Sequence, residues 1–199
     1  MLLYEIGIGM GYEISLNMAW KELNELVLPQ ICSLSLLADT YEIRIAEKTV
    51  VLQPSSVRAE EDLSVLILRY LIGISKRGFH PHGEWISFKE TDGGKLFWPN
   101  FSERAIKPLV ECFKEDPNGT IRILMESLSG RTVEGGDVAI EVDTFPGVFV
   151  RILFWRSDEE LPPAATMLFD RGLTEVCIME DVAVLLTLVA ETISKMVHR

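Results

Sequence analysis

Apolar residues recur along this chain with two periods, and the places where the period changes mark its elements. Residues 12–27 place Leu16, Ala19, Trp20, Leu23, Leu26 and Val27 on one stripe, and Pro29 ends the pattern, so the spacing predicts an amphipathic helix over 12–27. In "YEIRIA", residues 41–46, Tyr41, Ile43 and Ile45 alternate with Glu42 and Arg44, and the run passes through "EK" into "TVVLQ" as a hairpin would. From Ala59 to Ile74 the acids Glu60, Glu61 and Asp62 precede Leu63, Leu66, Ile67, Tyr70 and Leu71 at helical spacing, with acids where the helix dipole favours them. Val65, Leu68 and Ile72 widen that stripe, which predicts a helix covered on most sides.

"GEWISFKETDGGKLFWP" reads as a second hairpin: strand Glu84 to Lys89, a turn over Thr91-Asp92-Gly93-Gly94, and strand Lys95 to Trp98 stopped by Pro99. Ser102 then caps a helix with Ala105, Ile106, Leu109, Cys112 and Phe113 inside, in which Pro108 imposes a kink or a later start. Asp116 and Pro117 open the next helix, with Ile121, Leu124, Met125 and Leu128 facing inward and Gly130 beyond its end. "DVAIEVD", 137–143, alternates and predicts a strand with one wet face. "GVFVRILFW", 147–155, is nearly continuous and predicts a central strand covered on both faces. "ATMLFD" is a short extended piece. A last helix begins at Glu180 and Asp181, with Val182, Leu185, Leu186, Val189, Ile193 and Met196 as its stripe and Lys195, His198 and Arg199 at its end. Strands fall in adjacent pairs between helices. The expectation is therefore an α+β fold, a single domain over 1–199 whose mainly antiparallel sheet of about five to six strands packs against helices.

Composition narrows the partners. The 199 residues are 48% hydrophobic and 25% charged, as in a folded globular protein, and 30 acids against 19 bases give a net charge of -11. Such a field repels phosphate backbones, so no nucleic acid is expected, and a protein partner or a homo-oligomer is. Cys32, Cys112 and Cys177 are far apart in apolar surroundings with no paired-cysteine or Cys/His spacing, which suggests buried thiols in a reducing cytoplasm. "MLLYEIGIGMGYEI" has no basic leader and no small-residue cleavage pattern, and no apolar run is long enough to cross a bilayer. No export is expected, and the Asn118-Gly119-Thr120 sequon is expected to be idle.

Several residue groups could carry chemistry. Asp158, Glu159 and Glu160 follow the central strand, where converging carboxylates could bind a hard cation or divide acid and base roles; a charged turn that stops the strand is the plainer alternative. His80-Pro81-His82 puts two imidazoles on one side of an extended chain, a partial transition-metal site that Glu84, Asp158 or Asp170 would have to complete; the alternative is a solvated loop. Asp170 could orient a histidine or bind a cation, or simply turn the chain before Arg171-Gly172. Arg104 could clamp an anion or pair with Glu103 on a helix surface. Trp85, Trp98 and Trp155 could line a flat pocket or fill the core. Gly7-Ile8-Gly9-Met10-Gly11 lacks the spacing of a dinucleotide loop, and no serine or cysteine carries a nucleophile motif.

The segments "AWKEL", "GEWISFKETDGG", "FSERAIKPL", "GGDVAIEV", "WRSDEELPPAATMLFD" and "EDVAVL" occur in an order that resembles the prokaryotic domain-of-unknown-function family 3786, found largely in anaerobic bacteria and archaea. The likeness covers residues 16–193 and is most specific in the tryptophan, acid triplet, proline and Leu-Phe-Asp stretch. Leu161 stands where the family usually shows Phe. Some relatives look like fusions to a cysteine-rich iron-sulfur segment of the kind seen in corrinoid proteins. The resemblance thus implies an accessory role in anaerobic metalloenzyme or one-carbon systems, although this chain lacks such a segment. The reading that follows is a cytoplasmic binding or accessory module using the corner from Trp155 to Asp170. The alternatives are a metal-assisted hydrolase or transferase built on His80, His82 and the Asp158–Glu160 acids, and a structural subunit that pairs with itself or a partner.

Overall fold

The computed structural model describes the backbone of residues 2–198 and the side chains of 12–198. Helix α1 (Leu2–Leu23) buries Ala19, Trp20 and Leu23 from the expected stripe. It begins ten residues before the predicted start, at Leu2 rather than residue 12, and stops four residues short of the predicted end. Its last turn tightens, with Glu25 N donating to Glu22 O and Leu26 N to Leu23 O, and Val27 lies fully exposed beyond it.

A four-stranded antiparallel meander follows: β1 (Ile31–Leu36), β2 (Asp39–Arg44), β3 (Thr49–Gln53) and β4 (Val57–Arg58). The β2–β3 hairpin is the one that the alternation of Tyr41, Ile43 and Ile45 predicts. β1 lies outside the predicted elements; Leu34 and Leu36 point inward while Ser33 and Ser35 face water. Helix α2 (Glu61–Arg77) has Glu61 and Asp62 in its first turn and Lys76 and Arg77 in its last. It packs along α1, and Lys76 Nζ lies 2.5 Å from Glu22.

The predicted second hairpin does not form. Strand β5 (Trp85–Ser87) is three residues long, because Ser87 N and Oγ both donate to Glu90 Oε2, at 2.8 and 2.9 Å, and close a 3-10 turn over Phe88–Glu90. Gly93, at φ 80°, then opens helix α3 (Gly94–Phe101), where the second strand was expected. Nor does Ser102 cap a helix. It starts a π-helical turn (Ser102–Ile106) that leads without a break into α4 (Lys107–Lys114), where Pro108 occupies the first turn. The wider turn absorbs two prolines, Pro99 and Pro108, in one helical path. Helix α5 (Pro117–Ser127) starts as predicted, with Asp116 Oδ1 accepting from Gly119 N at 2.9 Å.

The second sheet contains β6 (Arg131–Thr132), β7 (Val138–Asp143), β8 (Phe149–Trp155) and β9 (Ala164–Asp170), with the strand order β5-β9-β8-β7-β6 and every pairing antiparallel. A single turn, α6 (Leu173–Val176), and then a long helix, α7 (Met179–Val197), complete the fold, an α+β arrangement whose strands divide between a four-stranded and a five-stranded sheet. As predicted, β8 is central, but it is not covered evenly: Val150, Ile152 and Phe154 are buried while Phe149, Arg151 and Leu153 are half-buried. The expected wet face of β7 is closed instead, since Glu141 is 4% exposed between Arg131 Nε and Arg151 Nε, each 2.7 Å from a carboxylate oxygen. Arg151 in turn lies 3.6 Å over the Trp85 ring.

One connected buried cluster draws on both sheets and on helices α1, α2, α4, α5 and α7. The sheets meet where Leu37 N donates to Thr144 O at 2.8 Å and where Tyr70 of α2 stacks on Phe145 with ring centroids 3.8 Å apart. At the start of α7, Asp181 is buried beside Arg69, 3.0 Å away, and burial outweighs that partner and raises its carboxyl above the ordinary 3.8. A carboxyl with a raised folded pKa holds its proton more tightly folded than unfolded, so stability falls as pH climbs from 3.8 through the folded value. Urea unfolding of wild type and Asp181→Asn between about pH 4 and about pH 7 should show the variant gaining on wild type as pH rises. Wild type gaining on the variant would contradict this assignment.

Candidate functional site

Asp170 ends β9 opposite Trp85, and its buried carboxylate is filled by the backbone around it. Oδ1 accepts from His82 N and Gly172 N, both at 2.8 Å, and Oδ2 accepts from Gly83 N at 2.7 Å. Charge-assisted bonds of this kind are the stronger ones, and they wrap the His80–Gly83 loop around one side chain. Gly172 completes the fit, since a Cβ there would lie 2.2 Å from His80 O. Beside this loop Arg171 forms a two-pronged pair with Glu84, Nε to Oε2 at 2.6 Å and Nη2 to Oε1 at 2.9 Å, which lowers the Glu84 carboxyl pKa. The two histidines are exposed, and His82 Nε2 reaches Glu175 of α6 at 3.2 Å.

Asp158 plays a similar part in the β8–β9 turn. Its Oδ1 accepts from Glu160 N and Leu161 N at 2.8 Å, its own N–H donates to Leu161 O, and the two backbone donors lower its carboxyl pKa. The turn presents Glu159, Glu160 and Leu161 to solvent beside Trp155, which is 40% exposed. Trp155 pairs with Ala164 and Trp85 with Asp170, so the acidic turn and the histidine loop stand at opposite ends of β9, about 20 Å apart at the rise of a strand. The acids and histidines therefore do not share a site. Among the described residues no three His, Cys, Asp or Glu side chains cluster in a way that could hold a metal ion. The three tryptophans do not line one pocket either: Trp98 packs on Phe101 with Lys89 4.0 Å above its ring.

Arg104 lies elsewhere, in the π-helical turn. The ion pair expected with Glu103 is replaced by one from Glu103 to Lys107. Arg104 instead lines a groove of about 470 Å³ between the start of α2, α3 and α7. Leu63, Phe88, Phe97, Phe101, Val184 and Leu188 wall it, and Glu60, Asp62, Glu180, Glu191 and Lys195 join Arg104 around it. A wider concavity of about 620 Å³ beside α4 and α5 is lined by charged and small residues such as Glu111, Lys114, Asp116 and Arg122. Ligand sites are predominantly apolar with a few placed polar groups, and the groove on α7 is of that kind. Of its lining, Arg104 alone was a candidate from sequence. The available signal was α7 itself, where Val184 and Leu188 are apolar positions outside the core stripe.

Residues 27–192 match the model of the family described as Domain of unknown function (DUF3786). The chain belongs to this family. Comparison with curated proteins and with solved structures gives no match. The stretch matched to DUF3786 contains Asp170, the histidine loop, the acidic turn and all of the groove except Tyr12 and Lys195. The Gly7–Gly11 run precedes it and lies outside the residues whose side chains are described.

The Asp170 arrangement has a direct test. Asp170→Ala should lower stability by about 3 kcal/mol and Asp170→Asn, which keeps one acceptor, by about 2 kcal/mol, measured by urea unfolding. Limited proteolysis should cut the freed His80–Gly83 loop in both variants. An Asp170→Ala protein as stable as wild type would contradict the role.

Proposed function

We propose that this protein is a binding or accessory module whose recognition surface is the groove along α7, and that the groove receives an amphipathic helix of a partner protein. The observation that carries the reading is the groove's form, an apolar trough open along one helix and walled by aromatic side chains. It follows α7 from Met179 to Lys195, about 24 Å at the rise of a helix, the length of a four-turn segment. Four carboxylates against two cations at its rim, in a chain of net charge -11, favour an occupant with a basic flank. Of the polar groups considered for chemistry, Asp170 and Asp158 already hold backbone N–H groups and Glu84 holds Arg171.

This reading moves recognition from the Trp155–Asp170 corner to the groove. It sets aside the metal-assisted hydrolase or transferase because that reading needs His80, His82 and the Asp158–Glu160 acids within reach of one another. The family resemblance is what links the module to anaerobic metalloenzyme or corrinoid one-carbon systems. A cytoplasmic setting is supported by three free cysteines, of which Cys112 and Cys177 are buried. No helix among the described residues is long and apolar enough to cross a membrane.

A labelled Leu/Lys amphipathic peptide of about 16 residues should bind with micromolar affinity by fluorescence anisotropy, and its Leu/Glu counterpart should not. Leu188→Asp and Phe97→Ala should each weaken binding by about tenfold or more, while Glu160→Lys leaves it unchanged. Loss of affinity in Glu160→Lys with none in Leu188→Asp would return the site to the acidic corner.

A further inference from the structure

The edge of the first sheet offers a surface separate from the groove. Ile45 N donates to Gln30 O at 2.9 Å, and in the β1–β2 register this makes Cys32, Leu34 and Leu36 the residues of β1 that hydrogen-bond to β2. The N–H and C=O groups of Ile31, Ser33 and Ser35 therefore point away from the sheet. The next outward donor, Leu37 N, is already taken by Thr144 O. Among the described residues no hydrogen bond takes up these three rungs, and Ser35, nearest the 143–147 loop, lines a cavity of about 280 Å³ with it.

Native proteins protect such edges with short strands, charges, bulges or prolines. The other three edges here follow that rule: β4 and β6 are two residues long and each contains an arginine, and β5 is three residues long between Glu84 and Lys89. β1 does not. It lies within the longest uncharged run of the chain, Leu26 to Ala38, whose one proline, Pro29, precedes the strand, and Ile31 is 59% exposed.

We propose that β1 pairs antiparallel with β1 of a second copy of this chain about a two-fold axis through Ser33, joining two four-stranded sheets into one. In that register Ser33 faces Ser33 and Ile31 faces Ser35, so every open N–H and C=O of the three residues finds a partner. The pairing is confined to residues 31–35, because beyond Ser35 the edge is closed by Thr144, whose carbonyl takes the Leu37 N–H, and Pro29 of the second copy bends away there. A second copy fits better than an unrelated strand because an isologous contact must be self-complementary and this edge is. The run is also free of charge, so two copies of net charge -11 meet where repulsion is least.

Disulfide trapping reads the register directly. In a Cys32→Ser background, Ser33→Cys places two thiols on one rung, with Cα atoms about 5.5 Å apart, whereas Ser35→Cys places them about 13 Å apart. The expected result is a covalent dimer forming at least about tenfold faster from Ser33→Cys. Sedimentation should also show a wild-type dimer that Ser33→Pro converts to monomer with an unchanged circular dichroism spectrum, because Ser33 N–H takes no part in the β1–β2 ladder. If Ser33→Pro fails to fold, the trapping comparison still decides. Equal trapping at both positions, a dimer that survives Ser33→Pro, or a wild type monomeric up to about 1 mM would overturn the proposal. So would a monomer whose β1 edge takes up an added extended peptide of other sequence.

Discussion

One buried carboxylate holds together the part of this fold on which the rest is hung. Asp170 gathers three backbone N–H groups, two from the loop that enters β5 and one from the turn that leaves β9. Such a group is stable in the interior only because its charge is met by donors on every side. It therefore dictates that β5 lies against β9, that the chain reverses at Gly172, and that α6 and α7 start from that point. Arg171 and Glu84 tie the same two segments from the solvent side, where Arg171 N also donates to Glu84 O at 2.8 Å. The placement of Met179, at one end of the groove, follows from this anchor.

The periodic elements were legible in the sequence. The stripes of α2 and α7, that of α5 apart from Met125, which is exposed, the β2–β3 hairpin and the central place of β8 follow from apolar spacing, because each element buries one continuous face. What was not legible lay where a side chain outbids the pattern. Glu90 reaches back to Ser87 and ends β5, and "SFKE" is a capping signal that the stronger Asp-Gly turn signal concealed. β1 escaped because its serines and leucines alternate without a flanking turn pair. Glu141 looked like a solvated position, and only the placement of Arg131 and Arg151 on neighbouring strands turns it into a buried one.

The candidate chemistry divides along the same line. Asp158, Asp170 and the two histidines were chosen for their residue type, and tertiary structure decides what an acid does. Asp170 faces three amides and no imidazole side chain. Asp158 faces its own turn. Arg104 shows the reverse case, since a residue expected to pair on a helix surface is turned by the π-helical turn into a groove whose other walls come from distant parts of the chain. No local sequence window contains that groove, because Leu63, Phe97 and Leu188 meet only after three helices pack.

The central claim is that recognition belongs to the α7 groove and that the polar residues of the β9 ends are structural. Amide and methyl NMR spectra recorded during titration with the Leu/Lys peptide test it most directly. The account expects shift changes at Leu63, Phe97, Val184 and Leu188, with His82, Asp158 and Glu160 unmoved. Changes confined to the residues around Trp155 and Asp158, with α7 silent, would contradict it.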